Sequence, residues 1–223
     1  MEPHAHAPIL RRAGMVLVVV GVADIAVMAY CIVKGISYSS GLNVFAVVAG
    51  AFLIRGSLAA AGLVRWFSVF FLAALCALAL AWPVVQPLDL TLMQIRLGPI
   101  AAAASALLVV GAAFLFFWLQ RQLGSPSVLA AIEAAGKKTR SMRVPVASGV
   151  ALVVLLAAVV PLVLSGESGS KAKAIAQREL GAGYRYHVSS LSVSTTSHGT
   201  SVAARVTAWN DKEVRVLPVE WSE

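Results

Sequence analysis

Between residues 14 and 165 the chain repeatedly runs for roughly 18–22 residues with almost no charge. Each run is long enough to cross a hydrocarbon core of about 30 Å as an α-helix. Nothing else in the sequence restricts the fold so strongly. A segment in lipid must satisfy its backbone N–H and C=O groups internally, and a helix does so within one segment.

Five such spans are read from the apolar runs and their punctuation. The first is Gly14–Val33, preceded by Arg11 and Arg12 and followed by Lys34. It is longer than a signal-peptide core and lacks a small-x-small cleavage site, so it is expected to be retained. The second covers about 42–61 and turns at Gly62. The third covers 66–85, where Trp82 and Pro83 mark an interfacial exit. A loop carrying Pro87, Asp89 and Arg96 follows. The fourth span begins at Pro99, where a first-turn proline costs no hydrogen bond, and ends near Gln120. The fifth is 144–164, with Pro145 in its first turn and Pro161 in its last.

A basic loop, 120–143, separates the last two spans. Ser125-Pro126 opens a short helix there and Gly136 closes it, with Val128, Leu129 and Ile132 on one face. Two readings remain open for this segment. One is a helix lying on the membrane, with Arg121, Lys137, Lys138, Arg140 and Arg143 touching lipid headgroups; the other is a solvated connector.

The charge pattern sets a direction. Of the basic residues flanking the spans, eight lie on one side: Arg11, Arg12, Arg65, Arg121, Lys137, Lys138, Arg140 and Arg143. Only Lys34 and Arg96 lie on the other. By the positive-inside rule the N-terminal tail, 1–13, is cytoplasmic, and five crossings carry the C-terminus outside. Short loops and Ala, Val and Leu spans suit a bacterial inner membrane. The net charge of +8 is no nucleic-acid footprint, because residues 166–223 hold seven basic and six acidic side chains.

Those last fifty-eight residues form a separate, extracytoplasmic (in a bacterium, periplasmic) α+β domain. A helix is expected over 167–183, capped by Ser170, with Ala172, Ile175, Ala176 and Leu180 as its apolar stripe. A three-stranded antiparallel meander follows. Tyr184, Tyr186 and Val188 alternate, Leu191 and Val193 alternate with the opposite parity, and a bulge near Ser189-Ser190 reconciles them. Ser197-His198-Gly199 and Asn210-Asp211-Lys212 are the turns. In element order alone the domain resembles small helix-plus-sheet modules of extracytoplasmic regulatory and assembly proteins. The complete fold expected is a membrane all-α region of about five helices, 14–165, plus this small α+β domain.

Asp24 and Arg55 are the ionisable residues inside spans, where a charge costs roughly 2.5–3.5 kcal/mol on insertion scales. Measured from Gly14 and from Gly62, their depths are about 15 and 10 Å. They are therefore expected to meet as an intramembrane ion pair. The alternatives are a proton or ion pathway, or Arg55 snorkelling while Asp24 is held by hydroxyls or water.

Other chemistry has little support. His4 and His6 offer two imidazoles and no third ligand. Ser189, His187 and Asp211 lack any nucleophile motif, and no phosphate-cradling glycine motif occurs. Cys31 and Cys76 fall within apolar runs and read as packing residues. Small residues such as Gly14, Gly21, Gly50 and Ala60 permit close helix approach. No catalytic, cofactor-binding or metal-binding residue is expected. The expected role is that of a non-enzymatic assembly factor, accessory subunit or sensor. Its partners would be the bilayer and another membrane or periplasmic protein, or a second copy, with no nucleic acid. The alternative is a small transporter or channel component using Asp24 and Arg55.

Overall fold

The structure, a computed structural model, describes residues 6–35, 43–136, 140–196 and 199–222. Among the described residues eight helices are followed by three strands: α1 Ala7–Val33, α2 Asn43–Ile54, α3 Leu58–Val85, α4 Leu88–Leu97, α5 Pro99–Leu123, α6 Pro126–Ala134, α7 Arg143–Ser165, α8 Glu167–Leu180, then β1 Arg185–Thr196, β2 Gly199–Trp209 and β3 Val214–Ser222.

Among the described residues four helices, α1, α3, α5 and α7, are long and apolar enough to cross a membrane. Their outward side chains are apolar as well, with Leu80 84%, Ile100 86% and Leu108 75% exposed. Such a surface fits a hydrocarbon solvent and is compatible with a multi-pass membrane protein.

The second expected span is corrected. Helix α2 has 12 residues, about 18 Å of rise, too short to cross alone. The chain turns at Arg55-Gly56-Ser57, six residues before Gly62, which lies inside α3 with open space around its Cα. Gly56 takes φ +78°, which a side chain resists. Its N–H donates to the Leu53 carbonyl at 2.9 Å and that of Ser57 to the Phe52 carbonyl at 3.0 Å, the paired bonds of a Schellman stop. Ser57 then caps α3, its Oγ accepting from the Ala60 N–H at 3.3 Å. Stop and start signals are thus adjacent, and the apolar run around them hides both. A second correction concerns 88–97, expected as loop and found as helix α4.

Packing divides the chain into two compact units interleaved along the sequence. One comprises 1–75 and 111–149, the other 76–110 and 150–223. In the first, Leu10, Ala13 and Leu17 of α1, Leu53 of α2, Ala61 and Val64 of α3, Leu119 and Leu123 of α5, and Val128 and Ile132 of α6 form one buried cluster. The apolar face of α6 is therefore turned into protein, not toward lipid. Where α1 meets α2 the contact is between backbones. A Cβ on Gly14 would stand 2.6 Å from the Gly50 carbonyl oxygen, and one on Gly50 would stand 2.8 Å from a Val18 methyl.

In the second unit, β1, β2 and β3 form an antiparallel sheet in that order, with the expected bulge between Val188 and Ser190. The bulge puts Tyr186, Val188, Leu191 and Val193 opposite Ala208, Val206, Ala204 and Val202 on one face. Helix α8 lays Ala172 and Ala176 on that face, where Val188, Ala204, Val206 and Val219 complete the core. Gly166, rather than Ser170, occupies the α8 cap position, and Gly181 at φ +83° ends the helix. Asn210 closes the second turn, its Oδ1 accepting from the Lys212 and Glu213 N–H groups at 2.9 and 3.0 Å.

Candidate functional site

The α1–α2 contact decides the fate of the expected ion pair. Gly14 lies against Gly50 and Ile54, so Arg55, the next residue, stands level with the N-terminal part of α1. Asp24 is ten residues further along, about 15 Å of helix rise away. Asp24 and Arg55 therefore do not meet. Their depths matched only because Arg55 was measured from a turn at Gly62. With the turn at Gly56, Arg55 is an exposed residue of the connection, and Asp24 is half-buried on α1.

Of the basic residues expected at headgroups, Arg121, Arg140 and Arg143 are exposed, while Lys137 and Lys138 lie outside the described residues. Arg65 is half-buried in α3. Its Nε has no hydrogen-bond partner, and a Cβ on Gly124 would stand 3.2 Å from it. The Ser189 hydroxyl donates to the Arg205 carbonyl at 3.0 Å and receives a long contact from Thr207. No described bond joins Ser189 to His187 or Asp211, so no triad forms among the described residues. Nor do three or more His, Cys, Asp or Glu side chains gather there as a metal site would require. His4 and His198 lie outside the described residues.

What the structure does assemble is an open cavity of about 270 Å³, with charged and apolar walls, within the second unit. It is lined by Asp89, Leu92, Met93 and Arg96 of α4, Arg185 of β1, Trp209 of β2, and Asn210 and Asp211 of the following turn. Helix α4 starts after Pro87, carries Asp89 in its first turn, where the helix dipole favours a carboxylate, and has Arg96 in its last. Leu90 is its buried anchor, 2% exposed. A polar corner ties α4 to α3: the Trp82 indole N–H and Gln86 Nε2 each donate to Thr91 Oγ1 at 3.1 Å, and Gln86 reaches Gln94 Oε1 at 2.9 Å.

Across the cavity Arg185 donates to Asp89, joining β1 to α4. The Arg185 hydrogen bond holds the Asp89 carboxyl below its ordinary range, against a smaller opposing effect of desolvation. A second charged cluster lies at the same end of the sheet. Tyr184 donates to Glu213, and Arg215 bridges the same carboxylate at 2.9 Å with its guanidinium 6.0 Å over the Tyr184 ring. The Tyr184 hydroxyl and Arg215 accordingly lower the Glu213 carboxyl, and the carboxylate raises the phenol.

Trp209 is the unusual wall. Its side chain is on the sheet face opposite α8, yet it is only 5% exposed, and its Nε1 has no acceptor. An unmade hydrogen bond of this kind costs about 1–3 kcal/mol. Native folds rarely leave such donors without a reason.

No protein-family model matches the chain, and neither curated proteins nor solved structures show significant similarity to it. The site must be read from its own residues. Sequence reasoning missed it because Asp89, Arg96, Arg185 and Asp211 are scattered over more than a hundred positions. One local signal was present: Pro87, Asp89 at the helix start, then Leu90, Met93 and Leu97 at helical spacing before Gly98.

Proposed function

We propose that this chain is a non-enzymatic, multi-pass protein of a bacterial inner membrane whose external α+β domain binds another protein by strand addition. The observation that carries this reading is the free edge of β1. From Val188 to Thr196 that strand has no proline and no charge, and its last seven residues run past the bulge in uninterrupted register. Soluble sheets usually blunt such an edge with charge, proline or a cover, and an unblunted edge is a template for a further strand. The other edge, β3, carries Arg215, Pro218 and Glu220 and is blunted.

Orientation follows from the loop charges. With the turn at Gly56, Arg55 joins the basic side, and the count becomes nine against Lys34 and Arg96. The N-terminus is then cytoplasmic and the sheet periplasmic, with Arg121, Lys137, Lys138, Arg140 and Arg143 near cytoplasmic headgroups. Through its contact with Gly14, α2 ends at the level at which α1 began, which supports the parity of five passes although α2 is short. The transporter alternative loses its main support, because Asp24 and Arg55 line no common path.

A photo-crosslinking side chain at Ser192 or Ser194 of the full-length protein, in native membranes, tests the reading. A discrete protein adduct is expected from β1 and none from Val216 of β3. Ser190→Lys, which charges the same edge, should abolish the adduct while leaving the protein's yield unchanged. No adduct from β1, or adducts from β3 alone, would overturn the reading. An adduct of twice the chain's mass would identify the partner as a second copy.

A further inference from the structure

The cavity between α4 and the sheet contains two charge pairs of different kinds. Asp89 and Arg185 neutralise each other and brace its walls. Arg96 and Asp211 line the same space, yet neither forms a salt bridge among the described residues. Opposite charges that share a cavity without meeting leave a gap with one cationic and one anionic end. Leu92 and Met93 supply an apolar side to that gap, and Trp209 adds a wall whose indole N–H lacks an acceptor. At about 270 Å³ the space is below the usual size for drug-like ligands, so its occupant is small.

We propose that this cavity binds a small zwitterion, with its oxyanion on Arg96 and its ammonium on Asp211. A guanidinium offers paired donors to a carboxylate or phosphate, and a carboxylate accepts from a primary ammonium; both bonds are charge-assisted. Neither end needs a proton transfer or a metal. Two sources carry this chemistry, a free solute and the phosphoethanolamine headgroup of a lipid. The exposed apolar residues Leu88, Leu92 and Ile95 on α4 are compatible with the second.

Calorimetric titration of the purified full-length protein with O-phosphoethanolamine provides the test. Binding is expected to be about tenfold or more tighter than that of inorganic phosphate or ethanolamine alone. Arg96→Gln and Asp211→Asn should each weaken it by a similar factor. Both residues are exposed, and circular dichroism should show both variants folded as the parent. Equal binding of inorganic phosphate with no effect of Asp211→Asn would overturn the proposal in favour of a plain anion site. No binding of any of the three would overturn it outright. The source is read by repeating the titration in nanodiscs. Binding suppressed by phosphatidylethanolamine but not by phosphatidylcholine identifies the headgroup, and equal binding in both identifies a solute; either supports the zwitterion site.

Discussion

The α1–α2 hairpin and the α8–sheet layer are held together in opposite ways. In the hairpin, two glycines remove side chains so that backbones touch, and large apolar side chains such as Val19 and Phe45 remain outside, 66% and 74% exposed. In the sheet layer, alternate side chains are buried, and Val188, Val206 and Ala208 are at 1%, 0% and 0%. The difference is what a lipid solvent around the first region and water around the second would select. Lipid chains are as apolar as valine, so hydrophobicity cannot tell inside from outside and close backbone approach selects the contact. Water penalises exposed valine, so alternation selects the buried face.

The largest expected effect breaks the first half of this comparison. Gly50→Leu forces a side chain into the Gly14 carbonyl and the Val18 backbone, and should cost about 3 kcal/mol or more. Gly62→Leu, on the next helix α3 with nothing within 4 Å, should be nearly neutral. Yield of monodisperse protein and resistance to denaturing detergent distinguish them; equal losses would refute the register.

Val206→Ala probes the second half. Removing two buried methyl groups should cost about 2 kcal/mol and raise amide hydrogen exchange across β1, β2 and β3 while leaving α1 and α2 protected. Exchange rising equally in both regions would show that they unfold as one.

The turn between α2 and α3 should give a smaller effect. Ser57→Ala removes the cap on the Ala60 N–H and should cost about 1 kcal/mol, with Ser57→Asp retaining the cap.

The smallest effect is confined to the sheet side. Burial, with the Lys173 charge adding, lowers the half-buried His187 below its ordinary value of 6.5. The unfolded chain then takes up the proton first, so stability is retained above about pH 6.5 and declines as pH falls below it. Asp89 and Glu213 are also lowered, and their contributions are lost only further down, below the ordinary 3.8 and 4.5. In thermal scans His187→Gln should remove the first acid-side decline and keep the second. An unchanged profile would show that His187 does not contribute.

The ends of α5 and α7, the meander and its bulge were all legible because they depend on neighbours in sequence. Pro99 opens a helix, Asn210 closes a turn, and the parity change between Val188 and Leu191 demands an extra residue wherever the strand packs. The end of α2 was equally local, but Arg55-Gly56-Ser57 sits within an apolar run that reads as one span. Only the approach of Gly14 to Gly50 shows how far α2 extends and why Arg55 cannot reach Asp24. The direction of the α6 apolar face was likewise undecided, since Val128 and Ile132 suit lipid and protein equally. The cavity required tertiary structure altogether. Asp89, Arg96, Arg185 and Asp211 have no periodic relation in the chain, and an ion pair between α4 and β1 brings their elements together. Local backbone chemistry therefore fixed the elements and their caps, while long-range contact decided which faces meet and where the charges lie, because apolar surface alone does not discriminate among partners.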